Sequence, residues 1–187
     1  MATRSSELSA FSGPDHLFTR LSSSADSLPE LSSGLVRECL ILYPENHIHL
    51  RDLRYQSGLL WATILPHEID YSMITVDYYT ATQIVMITSQ MAYVLGGCAI
   101  LDPQFRGLGP KLYASYLQLL NRGELYYARM NMKLKKKTSN KSPIRTSMQV
   151  KRIVKRNNMH LMLSHMELGQ GNTEVDIMLV MDSRRLF

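Results

Sequence analysis

Four polar side chains cluster at the start of a long apolar segment: Asp77, Tyr78, Thr80 and Gln83. Residues 79–95 contain no Gly or Pro, which predicts a helix whose first turn carries these side chains. The free N–H groups and positive dipole end of a helix N-terminus can polarise a carbonyl group bound beside them. Asp77 is predicted to act as a general base or to orient water, and the other three to polarise the carbonyl with the helix.

The same residues have a purely structural explanation. Thr80-x-x-Gln83 fits a capping box, in which two side chains satisfy the free N–H groups of a helix start without any substrate. Asp77 would serve equally well as the N-cap residue. The sequence leaves both explanations open.

The helix that begins here is apolar on nearly every side and has a predicted stop at Gly96-Gly97. Such a helix must be buried all round, which in a chain of 187 residues predicts a central helix wrapped by a sheet. Ser89 and Gln90 lie within it, so each must find a hydrogen-bond partner, either inside the protein or on a substrate.

Strand-like patterns surround this helix, and a second, amphipathic helix is predicted at 111–121. Residues 126–134 alternate strictly, with Tyr126 on the apolar face and Tyr127 on the polar one, as in a half-buried antiparallel strand. A bulge is predicted at Ile153. The fold class is therefore α+β, with an antiparallel sheet whose strands are predicted within 36–64 (including an apolar run at 58–65) and at 71–76, 126–134, 148–154, 159–168 and 175–181.

The N-terminal segment has a different composition. Its first 33 residues contain ten serines and few periodic apolar residues, which predicts a flexible arm with a short helix near 16–21. The domain is predicted to span 34–187.

The central-helix segment resembles that of the FcoT-like acyl-thioester enzymes, a family with the hot-dog fold. Tyr79, Ala81, Gln90, Ala92 and Tyr93 match the pattern of that family, and Tyr43 falls where its members tend to carry a tyrosine. The sequence departs from the pattern where Thr80, Gln83 and Ser89 replace Asn, Glu and Asn respectively.

The resemblance implies a curved antiparallel sheet around a buried helix, and a homodimeric enzyme acting on a thioester of coenzyme A or of an acyl carrier protein. No cofactor is implied beyond the carrier itself. Hydrolysis is the leading reaction, and dehydration, hydration or amine addition to an enoyl thioester is the alternative. Tyr43, Ser89, Gln90 and Tyr93 are the predicted substrate-binding residues.

The charge of the chain is concentrated in one segment. Residues 125–166 contain eleven Lys and Arg and no acid, whereas the rest of the chain has a net charge of −6. Arg129, Lys133 and Lys135 are predicted to hold coenzyme A phosphates or the acidic face of a carrier protein. Nucleic-acid binding through 129–156 is the alternative from another class, although 128–166 lacks aromatic residues for base stacking. A solvated surface and a non-catalytic subunit that needs a partner also stay open.

Several other functions are disfavoured. The uncharged run at 78–101 holds too many polar residues for a membrane span, and no secretory signal is evident. Two isolated cysteines favour a reducing, cytoplasmic setting without disulfides. Ser89 lacks the Gly-x-Ser-x-Gly context of a serine hydrolase, and His47-x-His49 lacks a third ligand, so no metal site is predicted. His67 is either a surface histidine or a general base.

Overall fold

The computed structural model describes residues 28–66, 77–105 and 108–182. The predicted strand at 71–76, the short helix at 16–21 and His67 lie outside these ranges. The helices and strands of the described part, in chain order, are α1 (Ser33–Cys39), β1 (Leu50–Gln56), β2 (Leu59–Ile64), α2 (Ala81–Leu101), α3 (Pro110–Asn121), β3 (Tyr126–Leu134), β4 (Ile144–Arg156), β5 (Met159–Leu168) and β6 (Thr173–Asp182).

All six strands form one antiparallel sheet in the order β1-β2-β4-β5-β6-β3. The segment before α1 runs along edge strand β1, where Leu31 N donates to Leu53 O at 2.9 Å. The other edge is β3, and within the described ranges β6 is the only strand that pairs with it. One edge of the sheet is therefore covered by the chain itself, and within the described residues no strand covers the other.

The long helix α2 packs against the sheet and is buried over most of its length. Ile87, Met91 and Leu95 are fully buried on it, and Thr88 contacts Met166 of β5 at 3.7 Å. A buried helix enclosed by a curved antiparallel sheet confirms the predicted α+β hot-dog fold. By length and hydropathy α2 would also suit a membrane span, but 83% of its most apolar window is buried within the protein, as in a core helix.

The predicted helix stop at Gly96-Gly97 is wrong, because α2 continues through both glycines to Leu101. A Cβ at Gly96 would lie 3.1 Å from the Tyr116 hydroxyl, and one at Gly97 would lie 2.5 Å from Cys39 Sγ. The glycines therefore mark the place where α3 and the end of α1 approach α2 closely, rather than a terminus.

The extended region predicted to begin at residue 36 is also corrected. Residues Ser33–Cys39 form α1, capped by the Ser32 side chain, which accepts a hydrogen bond from Leu35 N. The alternation of Cys39, Ile41 and Tyr43 suggested a strand, but Cys39 is the buried last residue of this short helix. The apolar run at 58–65 is confirmed as a strand by β2, and the helix at 111–121 by α3.

Strand β3 contains a bulge that changes which face Tyr127 occupies. Tyr127 pairs with Leu179 and Arg129 with Met178, so Ala128 is an extra residue in β3. The bulge turns Tyr127 to the side of α2, whereas strict alternation predicted it on the outer face with Arg129. A second bulge lies between Val150 and Arg152, close to the predicted position at Ile153.

Candidate functional site

A cluster of hydroxyl-bearing side chains lies against the middle of α2. It consists of Tyr43, Ser89, Tyr93 and Tyr127, hereafter the tyrosine cluster. The ring centroids of Tyr43 and Tyr93 are 6.3 Å apart, and those of Tyr93 and Tyr127 are 6.0 Å apart with nearly parallel planes. The Tyr127 hydroxyl donates to Ser89 O at 3.4 Å, and the Tyr43 and Ser89 side chains hydrogen-bond each other.

Three separate elements bring these side chains together. Ser89 and Tyr93 are four residues apart and share one face of α2. The bulge at Ala128 delivers Tyr127 from edge strand β3. Tyr43 comes from the turn after α1, where its N–H donates to Leu40 O at 2.9 Å.

Burial keeps the phenols of Tyr43 and Tyr127 protonated at neutral pH by raising the pKa of each. Burial raises the pKa of Tyr43 to about 12, reinforced by neighbouring Tyr93 and opposed by the hydrogen bond with Ser89. Burial likewise raises the pKa of Tyr127 far above its usual value. Neutral phenols held in a partly dry site are suitable donors to an oxygen atom on which negative charge develops.

Ser89 is placed as a positioning group rather than as a nucleophile. Its hydroxyl donates to Val85 O at 2.9 Å, within the preceding turn of α2. Its remaining lone pairs and its backbone carbonyl receive the hydroxyls of Tyr43 and Tyr127. Ser89 therefore orients the two phenols.

Gln90 anchors a loop rather than offering a free polar group to the tyrosine cluster. Its side-chain oxygen accepts from His49 N at 3.0 Å, and its amide nitrogen donates to His47 O at 2.7 Å. Both polar ends of this fully buried side chain are therefore engaged with backbone. His47 is exposed whereas His49 is buried.

The capping box predicted at the start of α2 is present. Thr80 is the N-cap, Gln83 N donates to Thr80 Oγ1 at 3.3 Å, and Thr80 N donates to Gln83 Oε1 at 2.9 Å. The capping role therefore falls to Thr80 and not to Asp77. The Gln83 side-chain nitrogen is buried and has no hydrogen-bond partner within the described ranges. A buried donor without a partner is costly, and a ligand oxygen would satisfy it.

Asp77 and Tyr78 contact the loop between β3 and β4. The Asp77 carboxylate pairs with Lys141 Nζ at 2.8 Å, and about two thirds of its side chain is exposed. Lys137 Nζ lies 4.9 Å from the centre of the Tyr78 ring. Both residues therefore lie beyond the far end of β3 from Tyr127.

The structure does not bring the two predicted groups together within one chain. Gln83 precedes Ser89 by six residues, which places it ~9 Å away along α2 and roughly 120° around it. Gln83 shares its helix face with Gln90, and Ser89 shares its face with Tyr93. The first-turn group and the tyrosine cluster are thus distinct surfaces of α2. Tyr127 was missed by the sequence analysis, because a bulge reverses its face.

The basic residues Arg129, Lys133 and Lys135 are exposed and lie on the sheet face away from α2. Lys135 forms an ion pair with Glu174 of β6, and Lys133 lies directly opposite the same glutamate. These residues and the tyrosine cluster therefore lie on opposite faces of edge strand β3.

No protein-family model and no curated protein matches this sequence. Among solved structures, the chain is similar to a thioesterase superfamily protein from Shewanella loihica PV-4, with 8% identity over 70% of this chain and 88% of that one and a TM-score of 0.46. It is similar to a putative thioesterase from Ralstonia eutropha JMP134, with 10% identity over 78% and 98% and a TM-score of 0.45. A third similar structure is the HP0420 homologue of Helicobacter felis, with 13% identity over 81% and 92% and a TM-score of 0.43.

Proposed function

We propose that this protein is an enzyme that acts on acyl thioesters, with hydrolysis as its reaction. The observation that carries the proposal is the tyrosine cluster, in which two protonated phenols and a serine converge beside a buried helix. The resemblance of the α2 segment to FcoT-like enzymes supports the same substrate class.

In the proposed reaction the thioester carbonyl lies against the cluster. On substrate binding the Tyr43 and Tyr127 hydroxyls turn from Ser89 to the carbonyl oxygen, and each donates its single proton to it as attack by water turns it into an oxyanion. Ser89 positions the two phenols in the free protein, and the Tyr93 ring forms an apolar wall for the acyl group. The side-chain nitrogen of Gln83 is a further donor for a more distant part of the substrate.

We propose that the water is activated by Asp77 from a second copy of the chain. The open edge strand β3 exposes Tyr126 and Leu134, which favours pairing with another β3. In an antiparallel pair related by a two-fold axis, the end of one β3 lies beside the start of the other. Asp77, which pairs with Lys141 in the loop that follows β3, would then approach the Tyr127 of the second copy.

Collapse of the oxyanion breaks the carbon–sulfur bond, the proton that Asp77 takes from water passes to the departing thiolate, and the carrier is proposed to leave around this edge. Arg129, Lys133 and Lys135 lie on the outer face of β3 and would meet coenzyme A phosphates or the acidic surface of a carrier protein. The same carbonyl-binding groups would also serve dehydration, hydration or amine addition on an enoyl thioester, which is the alternative chemistry at this site.

A second candidate function rests on a different observation. All eleven Lys and Arg between 129 and 156 are exposed. Such a surface suits a polyanion, and nucleic-acid binding would show as an affinity that falls steeply with salt.

The proposal is tested by incubating the protein with saturated, 3-hydroxyacyl and enoyl thioesters on coenzyme A and on a carrier protein. Mass analysis separates loss of the acyl group from gain or loss of one water. We expect acyl loss, and we expect Tyr127→Phe to lower kcat by roughly 10²–10³-fold, as for removal of one oxyanion donor. Tyr113→Phe, which removes an exposed hydrogen bond to Glu38 away from the tyrosine cluster and from β3, is the matched control and should keep full activity. Equal activity in both variants would contradict the assigned site.

A further inference from the structure

Four ionisable side chains form a cluster on the outer face of the sheet, opposite α2. Burial alternates along β5, so that Met166 faces the core while His165 and Glu167 face outward. Glu174 and Asp176 of β6 lie directly opposite them, Glu174 against Glu167 and Asp176 against His165. We call these four residues the outer cluster.

The outer cluster presents three potential metal ligands at short range. One ligand atom each from His165, Glu167 and Glu174 lies within 4.8 Å of the others. His165 Nε2 is 3.8 Å from Glu167 Oε1. The three side chains are only 18 to 25% exposed, so their positions are constrained by packing.

Asp176 fixes the orientation of the imidazole. Its carboxylate oxygen lies 2.7 Å from His165 Nδ1, which leaves Nε2 as the nitrogen that faces the two glutamates. A histidine that binds a metal through one ring nitrogen commonly donates a hydrogen bond from the other nitrogen to a carboxylate. This contact sets both the tautomer and the direction of the ring. The outer cluster thus has ligands and an orienting group.

The negative charges of the outer cluster also favour a bound cation. Glu167 and Glu174 face each other across two strands, an arrangement of like charges that destabilises a sheet. Lys135 supplies one positive charge through its ion pair with Glu174, and Lys133 lies opposite the same residue. The Lys135 ammonium is therefore a competitor that a metal ion must displace.

We propose that His165, Glu167 and Glu174 bind a divalent transition-metal ion of the Zn²⁺ class, with Asp176 as the orienting residue. Imidazole and carboxylate ligands together suit Zn²⁺, whereas Mg²⁺ prefers oxygen ligands alone. Bond lengths of about 2.0–2.2 Å require the three ligand atoms to close in slightly, and water completes the shell. The ion would link β5 to β6 on the face opposite the tyrosine cluster.

The test is calorimetric titration of the metal-free full-length protein with Zn²⁺, and separately with Mg²⁺. We expect a saturable Zn²⁺ component that disappears in His165→Ala, and no such component with Mg²⁺. Asp176→Asn should weaken this component by roughly 10–100-fold, the effect typical of an orienting residue. His47→Ala, which removes an exposed histidine elsewhere, is the matched control and should leave it unchanged.

Lys135→Met is the variant predicted to bind Zn²⁺ more tightly, and a general loss of folding cannot produce a gain in affinity. Because it removes the competing ammonium, it should tighten Zn²⁺ binding several-fold, whereas His165→Ala and Asp176→Asn weaken it. Thermal melts of each metal-free variant report whether it is folded. The proposal is overturned if Zn²⁺ binds His165→Ala as it binds the parent protein, or if Lys135→Met binds Zn²⁺ less tightly than the parent.

Discussion

Replacement of Gln90 by methionine tests whether this side chain anchors residues 47–49, as its hydrogen bonds indicate, or contacts substrate, as the sequence predicts. Methionine preserves the volume of the buried side chain and removes both hydrogen bonds. His49 N and His47 O then lose partners at 3.0 Å and 2.7 Å. The buried His49 N left unpaired costs about 1–3 kcal/mol and the partly buried His47 O costs less, so Gln90→Met should lower the free energy of unfolding by about 2–4 kcal/mol.

The assay is urea or thermal unfolding followed by circular dichroism. For a chain of this size each kcal/mol shifts Tm by roughly 2–4 °C, which predicts a drop of about 5–15 °C for Gln90→Met. The matched control is Gln104→Met, which removes an exposed side-chain hydrogen bond to Ser57 and should stay within about 0.5 kcal/mol of the parent. A change below about 1 kcal/mol for Gln90→Met would refute the anchor role.

Gln90→Glu adds a pH test of the same geometry. At neutral pH a carboxylate oxygen would face His47 O, where the parent protein has a donor at 2.7 Å. Protonation restores a donor, and burial favours the neutral acid, so the pKa of the introduced carboxyl is raised in the folded state. The folded state then binds more protons than the unfolded one, and the stability of this variant should rise as pH falls. A stability that falls on mild acidification, relative to the parent, would contradict the geometry.

Two further predictions concern the dimer and the helix crossing. Co-expression of Asp77→Asn with Tyr127→Phe should restore about a quarter of the parent activity, because mixed dimers contain one site without either substitution; two inactive variants that stay inactive together would place both residues in one chain's site. Gly97→Ala should lower the free energy of unfolding by about 1–3 kcal/mol, because its Cβ would lie 2.5 Å from Cys39 Sγ. Gly34→Ala, where a Cβ meets nothing within 4 Å, is the control, and equal melting temperatures for the two variants would contradict the close approach.

The sequence was most informative where the physics is local. The buried helix follows from apolar residues on all its sides, and the capping box follows from the spacing of Thr80 and Gln83. Strands β3, β5 and β6 follow from alternation and from the hairpin turn at 169–172. Each of these features depends on residues within a few positions of one another.

What the sequence concealed depends on contacts between distant segments. Gly96-Gly97 is a stop signal by local rules, but here it accommodates Tyr116 and Cys39 from other helices. The meeting of Tyr43 with Tyr93 requires the turn after α1 to fold back onto α2. Neither contact produces a periodic pattern of residues in the sequence.

The pairing within the outer cluster is recognisable in the spacing of its residues, although it was not predicted from the sequence. His165-x-Glu167 and Glu174-x-Asp176 are placed symmetrically about the Gly169–Asn172 turn. Antiparallel pairing across that turn therefore sets His165 against Asp176 and Glu167 against Glu174, as the structure shows. In a tight hairpin, residues at equal distances from the turn along the chain lie opposite each other in the sheet.

The bulge at Ala128 links the proposed site to the proposed dimer. An extra residue in an edge strand reverses the facing of the residues on one side of it, and here it sends Tyr127 inward while Arg129, Lys133 and Lys135 keep the outer face. Without it, the Tyr127 hydroxyl would lie among the basic residues and the tyrosine cluster would lose one of its two donors. In the proposed function, the same strand supplies a carbonyl donor on its inner face, charges for a carrier on its outer face and an edge for a second copy. These three requirements would place the site at the edge of the sheet rather than at its centre.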